Sequence, residues 1–235
     1  MENSIESEAP SFRLATDTFF CFRADTAVFL DLARDRYLEL TASDVPLLRS
    51  LIARGAVTPE VETLGTSLLT NGLLTRGDHL GRPFAPTEVA PARATLVDEW
   101  LDESPRIGLN HVLRFIVSWS VAAFALHLGI RYATIHVGRR RTRGDSHTPP
   151  FDIDKARTLL RVFRYLRPLL FAAEDHCLLN SLALLEFLAW YRLHPNWVFG
   201  VRTTPFQAHC WLQHGDLVLD DRLAHLVPYT PIMVV

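Results

Sequence analysis

From Ala92 onward the hydrophobic period of this chain changes once, at His194-Pro195-Asn196. Upstream, from Ala92, apolar residues recur at helical spacing over roughly 92–102, 108–129, 153–173 and 177–193. Downstream they alternate over 197–203, 207–213 and 217–220, the spacing of half-buried strands. His214-Gly215-Asp216 supplies a tight hairpin turn between the last two. A helical half followed by a β half predicts an α+β architecture.

Three residue types that can do chemistry together sit around this change of period. Cys177 heads the apolar helical stretch 177–188, His209 lies in the strand-like run Gln207-Ala208-His209-Cys210-Trp211-Leu212, and Asp221 closes Leu217-Val218-Leu219-Asp220-Asp221. A helix start and a nearby imidazolium both lower a thiol pKa, so the thiolate becomes available. The imidazole takes the thiol proton and later returns it to a leaving amine. The carboxylate fixes the imidazole tautomer and stabilises its cation. Asp220 would point to the other face of its strand, which favours Asp221. Each residue also has a plainer reading: a lone cysteine is usually buried and inert, and His209 beside Trp211 could be an ordinary strand histidine. The three residues lack the close ligand pairs of a zinc site, so no metal is expected.

Bulk properties agree with a folded chain. The 235 residues are 49% hydrophobic and 21% charged, with a net charge of -2, which carries no nucleic-acid signature. Charge is uneven: residues 131–167 are strongly basic and include Arg139-Arg140-Arg141-Thr142-Arg143. That run reads as a solvated loop within 139–150, or as a surface for an acidic partner or a phosphate. Cysteines at 21, 177 and 210 make neither a disulfide framework nor a CxxC pair, and a reducing cytoplasm fits. The acidic start differs from a signal peptide. The apolar stretch from Phe115 to Ile130 is shorter than the ~20 residues of a span and reads as a buried helix, with no stable membrane insertion.

The N-terminal part has a different texture. Short apolar-aromatic runs at 12–14, 19–23, 27–31 and 37–40 read as strands separated by polar turns. Asp44 precedes a short helix over 45–52, and Pro59 opens a second that ends before Gly72. Residues 73–84 read as a hairpin. This is a small sheet-plus-helix unit of winged-helix type over 11–82. Pro83, Pro86 and Pro91 then punctuate a linker at 83–91, and 92–235 forms the second domain.

Cys177-Leu178-Leu179-Asn180-Ser181-Leu182-Ala183-Leu184, then Phe199-Gly200-Val201-Arg202 through Pro205-Phe206-Gln207-Ala208-His209-Cys210-Trp211, then Gly215-Asp216-Leu217-Val218-Leu219-Asp220-Asp221 together form a distinctive pattern. It resembles the lasso-peptide B proteins, the transglutaminase-like (papain-like) leader peptidases of lasso-peptide biosynthesis. The N-terminal unit resembles the PqqD-type precursor-recognition module that fused members carry. The chain departs from many members at Asn180, where they carry a basic residue, and at Cys210, where they carry a small one. By alternation Cys210 faces away from His209 and reads as packing.

The resemblance implies an activity. The protein would bind the leader of a ribosomal precursor peptide and cut between leader and core in the cytoplasm. Cys177 would be the nucleophile, His209 the base and acid, and Asp221 the orienting carboxylate. The Cys177 N–H, and less readily Gln207, are candidate oxyanion donors. An asparagine-synthetase-like cyclase would be the partner. The chain itself needs no cofactor, and ATP would enter through that cyclase. Leader binding has a physical route in strand addition at an exposed sheet edge. The candidate edge is 36–40 facing the 59–71 helix, with Arg36, Tyr37, Leu38, Leu40, Leu64 and Leu68 as leader-binding candidates. Core packing is the competing reading for each. A transglutaminase-like acyltransferase or amidase, and a non-catalytic module that presents a precursor, are the alternative functions.

Overall fold

A computed structural model describes residues 12–53, 58–77, 81–97, 105–144, 150–170 and 177–235. The chain divides into two compact units, 1–87 and 88–235, with the division falling inside the proline-punctuated 83–91 stretch.

In the first unit, β2 (Thr18–Arg23), β3 (Thr26–Asp31) and β4 (Arg36–Leu40) form an antiparallel three-stranded sheet with β3 at its centre. The short polar turns between them force adjacent antiparallel pairing, in register from Thr18↔Asp31 to Arg23↔Thr26. Helices α1 (Val45–Ile52) and α2 (Pro59–Thr70) follow. Pro59 occupies the first turn of α2, and the Thr58 hydroxyl accepts from the Val61 N–H to cap it. The core contains Leu14, Phe20, Phe29, Leu48, Leu68 and Leu73. Beneath it, buried Asp31 is held by Arg34 at 2.9 Å and Arg36 at 3.0 Å.

The hairpin expected over 73–84 is not what forms. β5 (Leu74–Arg76) pairs with β1 (Phe12–Leu14), and Leu14 exchanges both backbone hydrogen bonds with Arg82 on its other side. The chain-start strand takes the place between the two arms. Its Leu14 side chain is 1% exposed, so burial of that residue rewards the insertion.

The second unit begins with β6 (Ala94–Thr95), where a helix over 92–102 was expected. Its parallel pairing with β9 (Leu217–Val218) decides the conformation, and 98–102 lie outside the described residues. Helix α3 (Leu109–His127) packs on α6 (Cys177–Ala189). Its small buried residues Ser118, Ala122 and Ala125 share one face and permit close approach. Leu113, Ile116 and Phe124 lie exposed on another, so the helix is buried on one side only. It is long and apolar enough by length and composition to cross a membrane.

Helix α4 (Ile130–Gly144) runs through the basic stretch expected as a loop. Arginine is a strong helix former, and here the helix is fastened by its own arginines. Arg140 donates to the carboxylate of Glu186, and Arg141 to Asn196 Oδ1. Glu186 is buried in α6 and also meets His136 at 3.2 Å. The basic run therefore serves an internal ion pair. Helix α5 (Ile153–Leu166), capped by the Asp152 carboxylate on the Lys155 N–H, continues into a 3-10 turn at Arg167–Leu169.

After α6 come β7 (Asn196–Thr203), β8 (Phe206–His214), β9, α7 (Leu223–Leu226) and β10 (Thr230–Val234), in a sheet ordered β10-β7-β8-β9-β6. The β8–β9 turn needs Gly215, whose φ is +58°. Gly200 stands opposite His209, and a Cβ there would come within 2.8 Å of the Trp211 ring. The glycine lets that indole lie across the strand beside the histidine.

Candidate active site

The structure brings Cys177, His209 and Asp221 together from three elements. Cys177 is the first residue of α6, His209 lies on β8, and Asp221 follows β9. His209 Nε2 donates to Asp221 Oδ2 at 2.6 Å. The Cys177 thiol and the His209 ring lie close enough to shift each other's titration, and with Nε2 on Asp221 the nitrogen left to serve the thiol is Nδ1. His209 is therefore bracketed by a thiol and a carboxylate.

Asp221 is itself held on several sides. The Arg222 N–H donates to Oδ1 at 2.7 Å, His225 Nδ1 lies 2.9 Å from Oδ2, and the Thr95 hydroxyl donates to the Asp221 carbonyl at 2.6 Å. The pairing of β6 with β9 thus anchors the backbone that carries the carboxylate. Burial works against its charge, but the hydrogen bonds from His209 and His225 outweigh that and hold the carboxyl below the usual range. Asp220 turns away from His209 and accepts the Leu212 N–H at 2.7 Å. Burial first, and the adjacent Asp221 charge, push it up to about 7.

The electrostatics of the pair favour charge separation. Hydrogen bonding by Cys210 first, and then by His209, pulls the Cys177 thiol down to about 4 against the opposing effect of burial. Burial also opposes charge on His209, but its bonds to Asp221 and Cys177 prevail and raise it to about 9. Between these values the resting pair is thiolate and imidazolium.

Cys210 is buried, as its packing role requires, yet it does more than pack. Its contact with Cys177, and then burial, raise its own thiol well above the ordinary value, so it stays protonated beside the Cys177 sulfur. Cys210 Sγ lies 3.2 Å from Ser181 Oγ, which accepts the indole N–H of Trp197 at 2.9 Å. A relay thus runs from Trp197 through Ser181 and Cys210 to the reactive sulfur.

Several further residues escaped the sequence reading. His225 could have been found from its i,i+4 spacing to Asp221. Tyr229 lies 5.3 Å ring to ring from His209, and its hydroxyl donates to Gln207 Oε1 at 2.9 Å. Gln207 and His209 share a face of β8. His209, Asp221 and His225 also bring their donor atoms within 4.8 Å of one another, a set a divalent ion could use. In this structure the same atoms are committed to each other's hydrogen bonds. His214 stacks on Phe151 at 4.0 Å, away from the triad, and His176 lies outside the described residues.

The leader-binding candidates belong to the first unit. Arg36 bonds Asp31 and the Asn71 carbonyl. Leu38, Leu40 and Leu64 are half-buried against the core, Leu68 lies within it, and Tyr37 is half-buried on β4. Among the described residues, β4 pairs with β3 and stands last in the sheet order β2-β3-β4.

No curated protein and no solved structure matches the chain. Residues 119–234, which run from within α3 to β10 and hold all three triad members, match the family described as the transglutaminase-like superfamily, and this part of the chain is a transglutaminase-like domain.

Proposed function

We propose that this protein is a cysteine peptidase that binds the leader of a ribosomally made lasso-peptide precursor and hydrolyses the bond between leader and core. The observation that carries the peptidase half is the bracketing of His209 between the Cys177 thiol and the Asp221 carboxylate. The sequence pattern around Cys177 and His209 supports the lasso-peptide half.

The chemistry follows from the charge state. The Cys177 thiolate attacks the scissile carbonyl carbon and forms a tetrahedral oxyanion. The Cys177 N–H, at the start of α6, is a candidate donor to it. The His209 Nδ1 proton passes to the leaving nitrogen as the C–N bond breaks, leaving a thioester. Neutral His209 then takes a proton from water as its oxygen attacks the thioester, the C–S bond breaks, the acid is released, and the thiolate–imidazolium pair is restored. Asp221 stays ionised throughout and stabilises the imidazolium. An amine in place of water would give acyl transfer with the same residues.

For the first unit, the position of β4 at the end of the sheet order supports leader binding by strand addition. The core would then pass to an asparagine-synthetase-like cyclase that supplies the ATP-dependent step.

The test is mass spectrometry of the cognate precursor incubated with wild-type protein and with Cys177→Ala, each with and without cyclase and ATP. An intact leader fragment with wild type only is expected. Cleavage surviving Cys177→Ala would move the nucleophile elsewhere. Binding without cleavage in every tube would favour a presenting module, and a leader joined to an added amine would favour acyl transfer.

A further inference from the structure

The carboxylate side of the triad holds one imidazole more than the acyl chemistry needs. A cysteine–histidine pair requires one orienting carboxylate, and Asp221 fills that place. His225, four residues further on, turns Nδ1 onto the same carboxylate, 3.1 Å from Oδ1 and 2.9 Å from Oδ2. Two imidazole nitrogens and a carboxylate oxygen thus come within 4.8 Å of one another. Ligands held ~2.0–2.1 Å from a tetrahedral zinc ion lie about 3.3 Å apart, so an outward shift of under about 1 Å turns the hydrogen-bonded group into a ligand set.

The surroundings suit an ion. The His225 side chain is 53% exposed, against 17% for Asp221 and 13% for His209, so solvent reaches the group from the His225 side and can supply a fourth ligand. The carboxylate is oriented by groups outside the set. The Arg222 N–H occupies Oδ1 at 2.7 Å, which leaves Oδ2 to face both imidazoles, and the Thr95 hydroxyl holds the Asp221 carbonyl at 2.6 Å. Tyr229 lies against both imidazoles, at 5.3 Å and 5.8 Å between ring centres, and walls the group with an apolar face. Imidazole nitrogens favour a zinc-class ion over magnesium or calcium, which take oxygen ligands. The Cys177 sulfur is served by Nδ1, on the other side of the His209 ring, and stands outside the set.

We infer that His209, Asp221 and His225 form a reversible zinc site that silences the cysteine from the far side of its imidazole. The silencing rests on the reading of the triad as catalytic; the binding does not. Zinc takes the place of the Nε2 proton, which goes to solvent, while Nδ1 keeps its proton beside the sulfur. A metal-bound imidazole holds its remaining proton more firmly than an imidazolium does, so it donates poorly to a leaving nitrogen. Asp221, now a ligand, no longer stabilises the cation that proton transfer needs.

The experiment titrates the full chain, first freed of metal with a chelator, with zinc chloride against a chromogenic zinc chelator. Wild type should bind zinc, and Cys177→Ala should change the Kd by no more than about threefold. His225→Ala should weaken binding at least about tenfold, as loss of a ligand requires. His225→Asp places an oxygen as many bonds from Cα as Nδ1 is, and should recover part of that loss. Saturating zinc should leave the rate of Cys177 alkylation by iodoacetamide within about threefold of the metal-free rate, because the sulfur is not a ligand. Absence of zinc binding by wild type overturns the inference. So does an affinity that collapses in Cys177→Ala, an affinity unmoved by His225→Ala, or a block of alkylation by zinc, each of which puts the ion elsewhere. Thermal midpoints without zinc show which variants fold. If His225→Ala does not, His225→Asn is read in its place, since a neutral amide is a poor zinc ligand.

The precursor assay separates this inference from the peptidase reading. Zinc that saturates wild type should lower Cys177-dependent cleavage at least about tenfold, with recovery on adding EDTA, and should leave the slower His225→Ala reaction at its own rate. Full-rate cleavage with the site filled sinks the silencing. No cleavage in any tube sinks the peptidase reading and the silencing with it, while zinc binding that depends on His225 stands.

Discussion

His209 Nε2 is 2.6 Å from Asp221 Oδ2, which turns Nδ1 of the same ring to the Cys177 thiol. One imidazole thus couples a carboxylate after β9 to a sulfur at the head of α6. The two adjacent aspartates make a sharp comparison. Asp221→Asn keeps the shape but loses the charge that stabilises the imidazolium, and kcat/KM for the precursor should fall by about 10²–10⁴. Asp220→Asn keeps an oxygen for the Leu212 N–H and should change kcat/KM by no more than about threefold, well under 1 kcal/mol. Steady-state kinetics on both variants checks this. Equal losses would mean that the carboxylate has been assigned to the wrong aspartate.

His225 does not touch the thiol, and it acts as a positioning residue through Asp221. His225→Ala should lower kcat by roughly five- to tenfold, the size of one lost hydrogen bond of about 1 kcal/mol. The same change frees the Asp221 carboxylate to turn out of line with His209, so the imidazolium loses part of its support. Its raised pKa should drop, and the basic limb of the kcat/KM profile should move to lower pH. His225→Asn, which keeps a donor, should recover part of both effects. An unmoved basic limb would reduce His225 to a surface contact.

Cys210 contributes most to the depressed pKa of Cys177. Cys210→Ala removes that donor while leaving His209 and Asp221 in place. The Cys177 pKa, followed by thiolate absorbance near 240 nm, should rise by roughly one to two units, as loss of one hydrogen bond to the charged form requires. An unchanged titration would return Cys210 to a packing role.

The buried carboxylate of Glu186 depends on Arg140 and His136. Arg140→Ala leaves it short of its main counter-charge. Denaturant unfolding should show a loss of about 2 kcal/mol, less than for a fully buried pair because Arg140 is partly exposed. Glu186→Gln in the Arg140→Ala background should restore part of that loss. A change of a few tenths would show that the basic run is a solvated face after all.

The strands of the first unit were legible because Phe19 to Leu40 carry dense aromatic runs between polar turns, and local pattern sufficed. The strands and helix that hold Cys177 and His209 were legible for the same reason. The rest was set by distant partners. Ala94-Thr95 is a strand only because Leu217-Val218 lies beside it. β10 carries Pro231, which masks its pattern, and it is a strand through its pairing with β7. The Arg139-Arg140-Arg141 run looks like a solvated loop until Glu186 and Asn196 are placed opposite it. The contact of Cys210 with Ser181 and Cys177 arises from packing α6 on β8. No spacing along the chain announces it.

Cys177 rests as a thiolate paired with protonated His209. The direct measurement is the second-order rate of Cys177 alkylation by iodoacetamide from pH 3 to 10, in wild type and in His209→Ala. In wild type the thiolate is lost only as pH falls through about 4, and the imidazolium only as pH rises through about 9. The rate should already be on its plateau at pH 6, with the His209→Ala midpoint displaced upward by at least about one unit. A wild-type midpoint near that of a free thiol, about 8.5, and unchanged by His209→Ala would contradict it.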